Sequence, residues 1–140
     1  MDNFVADRIF VDAAPDVVFS ALLSSEDAVV WLDADSVLID PRPRGDFRAE
    51  RSDGSIVSGT ISRLENEVSI EIQDYFHEAS GVRRGPMRVT LTVTPHLHGV
   101  WLTVRQDGLD AQPEWKSFAE ATRREWVRAT VALKRHVEGI

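Results

Sequence analysis

The feature that most constrains this chain is a change of period. Between residues 68 and 104 apolar side chains fall on alternate positions: Val68, Ile70 and Ile72, then Met87, Val89, Leu91 and Val93, then Val100, Leu102 and Val104. From about Pro113 to Glu138 they recur at helical spacing, through Trp115, Phe118, Ala119, Trp126, Ala129, Leu133 and Val137. Period two describes a half-buried strand, and a stripe at period 3.6 describes one face of a helix. Strands joined by hairpins make an antiparallel sheet with one apolar face. The long helix is the only element large enough to cover it. Val68, Ile70, Ile72, Met87, Val89, Leu91, Val100, Leu102 and Val104 are therefore expected to face the helix, with Glu71, Thr90 and Thr103 on the far side.

The remaining order follows from local signals. Phe4 to Val11 reads as a strand with Ile9 and Val11 on one face. Pro15 and Asp16 suit the first turn of a helix running to about Leu23, because Pro lacks a donor that the first turn does not need. Ser24 or Ser25 caps a second short helix from Glu26 to Trp31. Strands then follow at Ser36–Asp40, Phe47–Glu50 and Ser55–Leu64, the last two separated by the hairpin signal Asp53-Gly54. Gly59, inside a strand, predicts a bulge or a close backbone contact. Residues 77–86, with Ser80-Gly81 and Gly85-Pro86, read as a long hairpin loop, and Gly139 ends the final helix. The order is a strand, two short helices, six strands and a long helix. The fold class is α+β: a curved antiparallel sheet of about seven strands around a long C-terminal helix.

A length of 140 residues fits one domain spanning 1–140 and permits a real core. The absence of cysteine excludes disulfides, thiolate metal sites and a cysteine nucleophile, and fits a reducing cytoplasm. Met1-Asp2-Asn3-Phe4 lacks the basic and apolar regions of a signal peptide, and no apolar run is long enough for a membrane span. The expected location is cytoplasmic. Net charge is −7, and residues 1–50 carry eleven acids against four arginines. No basic stripe suits nucleic acid.

A sheet gripping a helix leaves room for a pocket between them. Its wall is expected from Trp31, Phe47, Ile70, Ile72, Phe76, Val89, Leu91, Leu102, Val104, Trp115, Phe118 and Thr122. Core packing is the competing reading for Phe47, Phe76 and Trp126. Trp115 and Phe118, at the start of the long helix, are the stronger wall residues. Asp74 is in phase with Ile70 and Ile72, so its carboxylate is expected to point inward, partly desolvated and suited to acid or base work. Gln106 is in phase with Val104 and is expected to orient a ligand. Both also read as strand ends reaching water. Tyr75 and His77 share a face beside Asp74 and form a candidate acid–base group. His96-Leu97-His98 resembles a metal clip but sits at a hairpin tip, so no metal or cofactor is expected. Trp101 is out of phase with its neighbours and belongs on the outer sheet face, as an oligomer contact, a homodimer among them, or a patch covered elsewhere.

The same order of elements, with particular residues in place, resembles the helix-grip fold of the START-like (SRPBCC) superfamily. Within it the chain is similar to the heat-shock protein 90 ATPase activator-homologue family. Ala14-Pro15-Asp16-Val17-Val18-Phe19 resembles the family's opening of the first helix, and Trp31 the tryptophan that closes the second. Arg44-Gly45-Asp46-Phe47, Gly59-Thr60-Ile61 and Gly99-Val100-Trp101-Leu102-Thr103-Val104 resemble its strand motifs. Trp126, Leu133-Lys134 and Val137-Glu138 resemble its ending, although Glu125 stands where a glycine is usual. The resemblance implies the fold and a tendency to hold apolar ligands. The leading expectation is a binding domain for a small hydrophobic molecule, with no nucleic-acid or membrane partner. The alternatives are a cyclase- or hydrolase-like enzyme using Asp74, Tyr75 or His77, and a co-chaperone-like interaction module.

Overall fold

The computed structural model describes residues 3–139. Met1 and Asp2 of the N-terminal segment read above, and Ile140, lie outside it. The chain forms β1 (Phe4–Val11), α1 (Pro15–Leu23), α2 (Ser25–Trp31), β2 (Ala34–Ile39), β3 (Asp46–Arg51), β4 (Ile56–Glu65), β5 (Ser69–Ala79), β6 (Val82–His96), β7 (Gly99–Asp107) and α3 (Lys116–Glu138). A single 3-10 turn, Pro113–Trp115, leads into α3. The seven strands make one antiparallel sheet in the order β1-β7-β6-β5-β4-β3-β2. It curls into a half-barrel around the long helix, as the period change predicts.

The two short helices carry the chain from one edge of the sheet to the other. Ser24 caps α2 by accepting from the Asp27 amide at 3.2 Å. The inward face buries Val18, Phe19 and Leu22 from α1 and Trp31 from α2 with the sheet residues Ile70, Ile72, Met87, Val89, Leu91, Val100, Leu102 and Val104. The inward register therefore holds for β6 and β7, and for β5 as far as Ile72. Val68 departs from it. It lies in the turn before β5 and is exposed. The hairpin expected over residues 77–86 is also shorter than read. β5 and β6 pair out to Ala79 opposite Val82, leaving only Ser80-Gly81 as the turn.

One irregularity reorganises the rest of β5. One register shift falls at Gly59 on β4 and a second between Ile61 and Arg63, and others fall between Ile72 and Tyr75 and between Tyr75 and His77 on β5. A Cβ at Gly59 would stand 2.6 Å from Ile72 Cγ2 and 2.9 Å from the Gln73 carbonyl oxygen. The missing side chain lets the bulged strand approach. A bulge inserts an unpaired residue and sharpens the local bend. That residue is Asp74, with φ of 50°. The phase changes there, so Asp74 turns outward to solvent, while Tyr75 takes the inward position and is 5% exposed.

The same change moves Phe76 to the outer face, where the Arg83 guanidinium stacks 3.7 Å from its ring centroid. Trp101 is on the outer face as expected. It is covered within the chain by Arg8, 4.0 Å from its ring centroid, and by Phe10 edge-on at 5.7 Å.

Candidate functional site

The two halves of α3 differ in what they touch. Its buried residues are Trp126, at the middle, and Ala129, Thr130 and Leu133 in the second half. Side-chain bonds fasten that half: Thr130 Oγ1 donates to Asp7 Oδ2 at 2.9 Å, Lys134 Nζ to the Phe10 carbonyl at 2.8 Å, and His136 pairs with Asp27 at 2.8 Å. The first half stands away from the sheet and roofs a cavity of about 500 Å³. That volume is in the range of small-molecule sites.

The cavity floor comes from the ends of β3, β4 and β5. Arg51 continues the inward phase of Phe47 and Ala49, Val57 is inward on β4 beside Ser55, and His77 pairs across from Val57. Tyr75 follows one inward step back along β5. The roof is Phe118, Ala121, Thr122, Glu125 and Trp126, at helical spacing on one face of α3. The His77 and Phe118 rings meet edge to face at 5.0 Å, joining floor to roof. At the rim Arg84 lies 4.9 Å from the Phe118 ring centroid and 5.7 Å from that of Trp115.

Of the expected site residues, the cavity brings together Tyr75, His77, Gln106, Phe118 and Thr122. Gln106 is already engaged. Its Oε1 accepts from Trp126 Nε1 at 2.8 Å and its Nε2 contacts Met87 Sδ at 3.1 Å, so it positions Trp126. Asp74 borders a separate shallow groove with Gln73, Pro86 and Arg88, away from Tyr75 and His77. The bulge thus separates the expected Asp–Tyr–His group. Trp31, Phe47, Ile70, Ile72, Val89, Leu91, Leu102 and Val104 are fully packed core, and none lines the main cavity. The Phe47 ring sits behind Tyr75, centroids 6.5 Å apart. Trp115 supports Phe118 edge-on at 5.5 Å.

The reading by apolar phase missed the polar lining: Arg51, Asp53, Ser55, Arg124 and Glu125. Arg51 was traceable, since it continues the alternation of Phe47 and Ala49. Arg51 Nη2 donates to Glu125 Oε1, and the same oxygen accepts from Arg128 Nε at 2.6 Å. Asp53 Oδ1 accepts from the Ser55 amide at 2.8 Å and its hydroxyl at 2.6 Å, which lowers the Asp53 pKa. Burial raises the Tyr75 pKa and keeps the phenol protonated. Burial, with help from the Arg51 charge, lowers that of His77 and keeps the imidazole neutral near pH 7. The site thus offers neutral hydrogen-bonding groups, a buried guanidinium and aromatic surface.

Among the described residues no group of three or more His, Cys, Asp or Glu side chains converges on a metal site. The His96-Leu97-His98 pair is drawn into other contacts. His98 Nδ1 lies 2.7 Å from Asp12 Oδ1, and both rings pack against Phe10. Among the described residues no helix is long and apolar enough to cross a membrane.

The family model for activator of Hsp90 ATPase homolog 1-like proteins matches residues 12–138. The chain belongs to this family. No curated protein shows a significant sequence match. Among solved structures, MLL2253 from Mesorhizobium loti is similar at 17% identity and a TM-score of 0.80, with 96% of each chain covered. The Aha1 dimer from Colwellia psychrerythraea is similar at 12% identity and a TM-score of 0.77, again with 96% of each chain covered. DynU16, a protein of the dynemicin biosynthetic locus, is similar at 18% identity and a TM-score of 0.81, over 99% of this chain and 48% of that one. At these identities the likeness establishes the helix-grip fold.

Proposed function

We propose that this family member is a small-molecule binding protein whose ligand occupies the cavity between the β3–β5 ends and the first half of α3. The observation that carries the reading is the cavity itself, about 500 Å³ and walled by Tyr75, His77, Phe118 and Trp126. Aromatic faces suit a flat apolar body, and a few convergent polar groups orient it. The similarity to a protein of a biosynthetic locus is in keeping with a small organic ligand. Self-association is a further expectation, drawn from the dimeric Colwellia relative. Sedimentation at several concentrations tests it.

The binding reading is tested by filling the space. Ala121 lines the cavity and is exposed. Ala121→Trp should abolish saturable binding of a neutral hydrophobic dye such as Nile red while leaving the melting temperature nearly unchanged. Dye binding that survives in this variant would place the site elsewhere.

A second reading is acid–base catalysis on the bound molecule. It rests on neutral His77 and protonated Tyr75 bordering the same space. Asp74 has no part in it. If it holds, His77→Gln should suppress turnover of a bound substrate while leaving its binding within a few-fold.

A further inference from the structure

The cavity holds a buried guanidinium with a donor that the cavity acids leave unpaired. Arg51 closes β3 in the inward phase, and its side chain is only 10% exposed. Its Nη2 donates to Glu125, but its Nε is buried with no hydrogen-bond partner. On the same floor His77 Nδ1 is also buried and without a partner. Buried polar groups are nearly always paired, and an unpaired one marks either a cost in stability or a place for something else to bind.

The two cavity acids are committed. Glu125 Oε1 is shared between Arg51 and Arg128, and Asp53 Oδ1 accepts twice from Ser55. Arg124 lines the cavity and Arg84 roofs its rim over Phe118. Two arginines and two carboxylates line the cavity, and Arg84 at the rim and Arg128 bonded to Glu125 add two further cations beside it, in a chain whose net charge is −7. The local excess runs against the global charge.

We propose that the cavity selects organic acids: a flat apolar body lies against Phe118 and Trp126, and its carboxylate accepts hydrogen bonds from the Arg51 guanidinium beside His77. A guanidinium presents its donors as a planar fork that matches a carboxylate, and exclusion of water strengthens the pairing. The inference rests on the cavity being the binding site and adds the class of ligand it takes.

The test compares anthracene-9-carboxylate with 9-anthracenemethanol, which share a ring system and differ in the charge of the head. Each is titrated at pH 7.5 by its own fluorescence. The wild-type protein should bind the carboxylate about 10- to 100-fold tighter, the range expected for a hydrogen bond to a charged group. In Arg51→Gln the preference should fall to within about threefold, with the alcohol bound as before. Arg51→Lys, which keeps the charge and loses the fork, should retain part of it. If Arg51→Gln fails to fold, the wild-type ratio and Arg51→Lys decide. Equal binding of the two probes by the wild type would overturn acid selectivity and leave the cavity reading standing. A preference that persists undiminished in Arg51→Gln, or in Ala121→Trp, would place the anion outside the cavity and also overturn it. Binding of neither probe would overturn both readings.

Discussion

His77 is the residue whose state responds most directly to its surroundings. Burial and the Arg51 charge lower its pKa below the ordinary value of 6.5, so the folded protein holds it neutral where an unfolded chain would already be protonated. Above that ordinary value both states are neutral and His77 contributes nothing to pH dependence. As pH falls below it, the unfolded state binds the extra proton first, and stability declines. Wild-type protein should therefore lose more melting temperature between pH 7 and pH 5.5 than His77→Gln does. Parallel slopes for the two proteins would mean that the imidazole titrates normally. Gly59 makes the complementary point about space. Its missing side chain leaves the room that the bulge of β5 needs, so Gly59→Ala should destabilise by about 1–3 kcal/mol, the usual cost of overpacking, as read by urea denaturation.

At the scale of elements, α3 divides into a binding half and an anchoring half. Leu133 is completely buried, whereas Phe118 is half-buried and borders the cavity. Leu133→Ala should cost about 2–5 kcal/mol, because it opens a hole in dry packing that cannot collapse. Phe118→Ala should cost clearly less, since one side of its ring already meets open space, yet it should weaken dye or carboxylate binding. Chemical denaturation and probe titration of both variants check this. Equal destabilisation with unchanged binding would make the helix core throughout. The anchoring half also explains Gln106. A glutamine in the buried phase of β7 would be costly alone, but it accepts from the Trp126 indole and so fixes the tryptophan that separates cavity from core.

Across the whole molecule, the central strands β5, β6 and β7 have partners on both sides and hold most of the sheet's buried apolar side chains, while the first turns of α3 bury no side chain. Local opening follows that difference. Amide hydrogen exchange should be slowest in β6 and β7 and markedly faster over residues 116–122. A bound organic acid should slow that segment and the ends of β3 and β5 together, and leave β1 unaffected. Protection spread evenly over the chain would signal global stabilisation without a defined site.

Sequence alone determined what depends on local period: the strands, the three helices, the antiparallel order, the long helix as cover, and Gly59 as a point of close approach. Hydrophobic alternation and capping act over a few residues, so they can be read directly. It also named Phe118 and Thr122 as wall residues and Tyr75 and His77 as a candidate acid–base group. What only the tertiary structure decided was the polar half of the site. The bulge at Asp74 is a response of β5 to β4, two strands in contact, and it turned Asp74 out and Tyr75 in. Phase along a single strand cannot register an inserted residue. Trp31, Phe47 and the buried aliphatics share the inward face with the cavity wall. Their separation from it depends on how far α3 stands from the sheet, which is a property of packing. Arg51 lay in the inward phase, but its meaning came from Glu125, 74 positions away, and from the space between them.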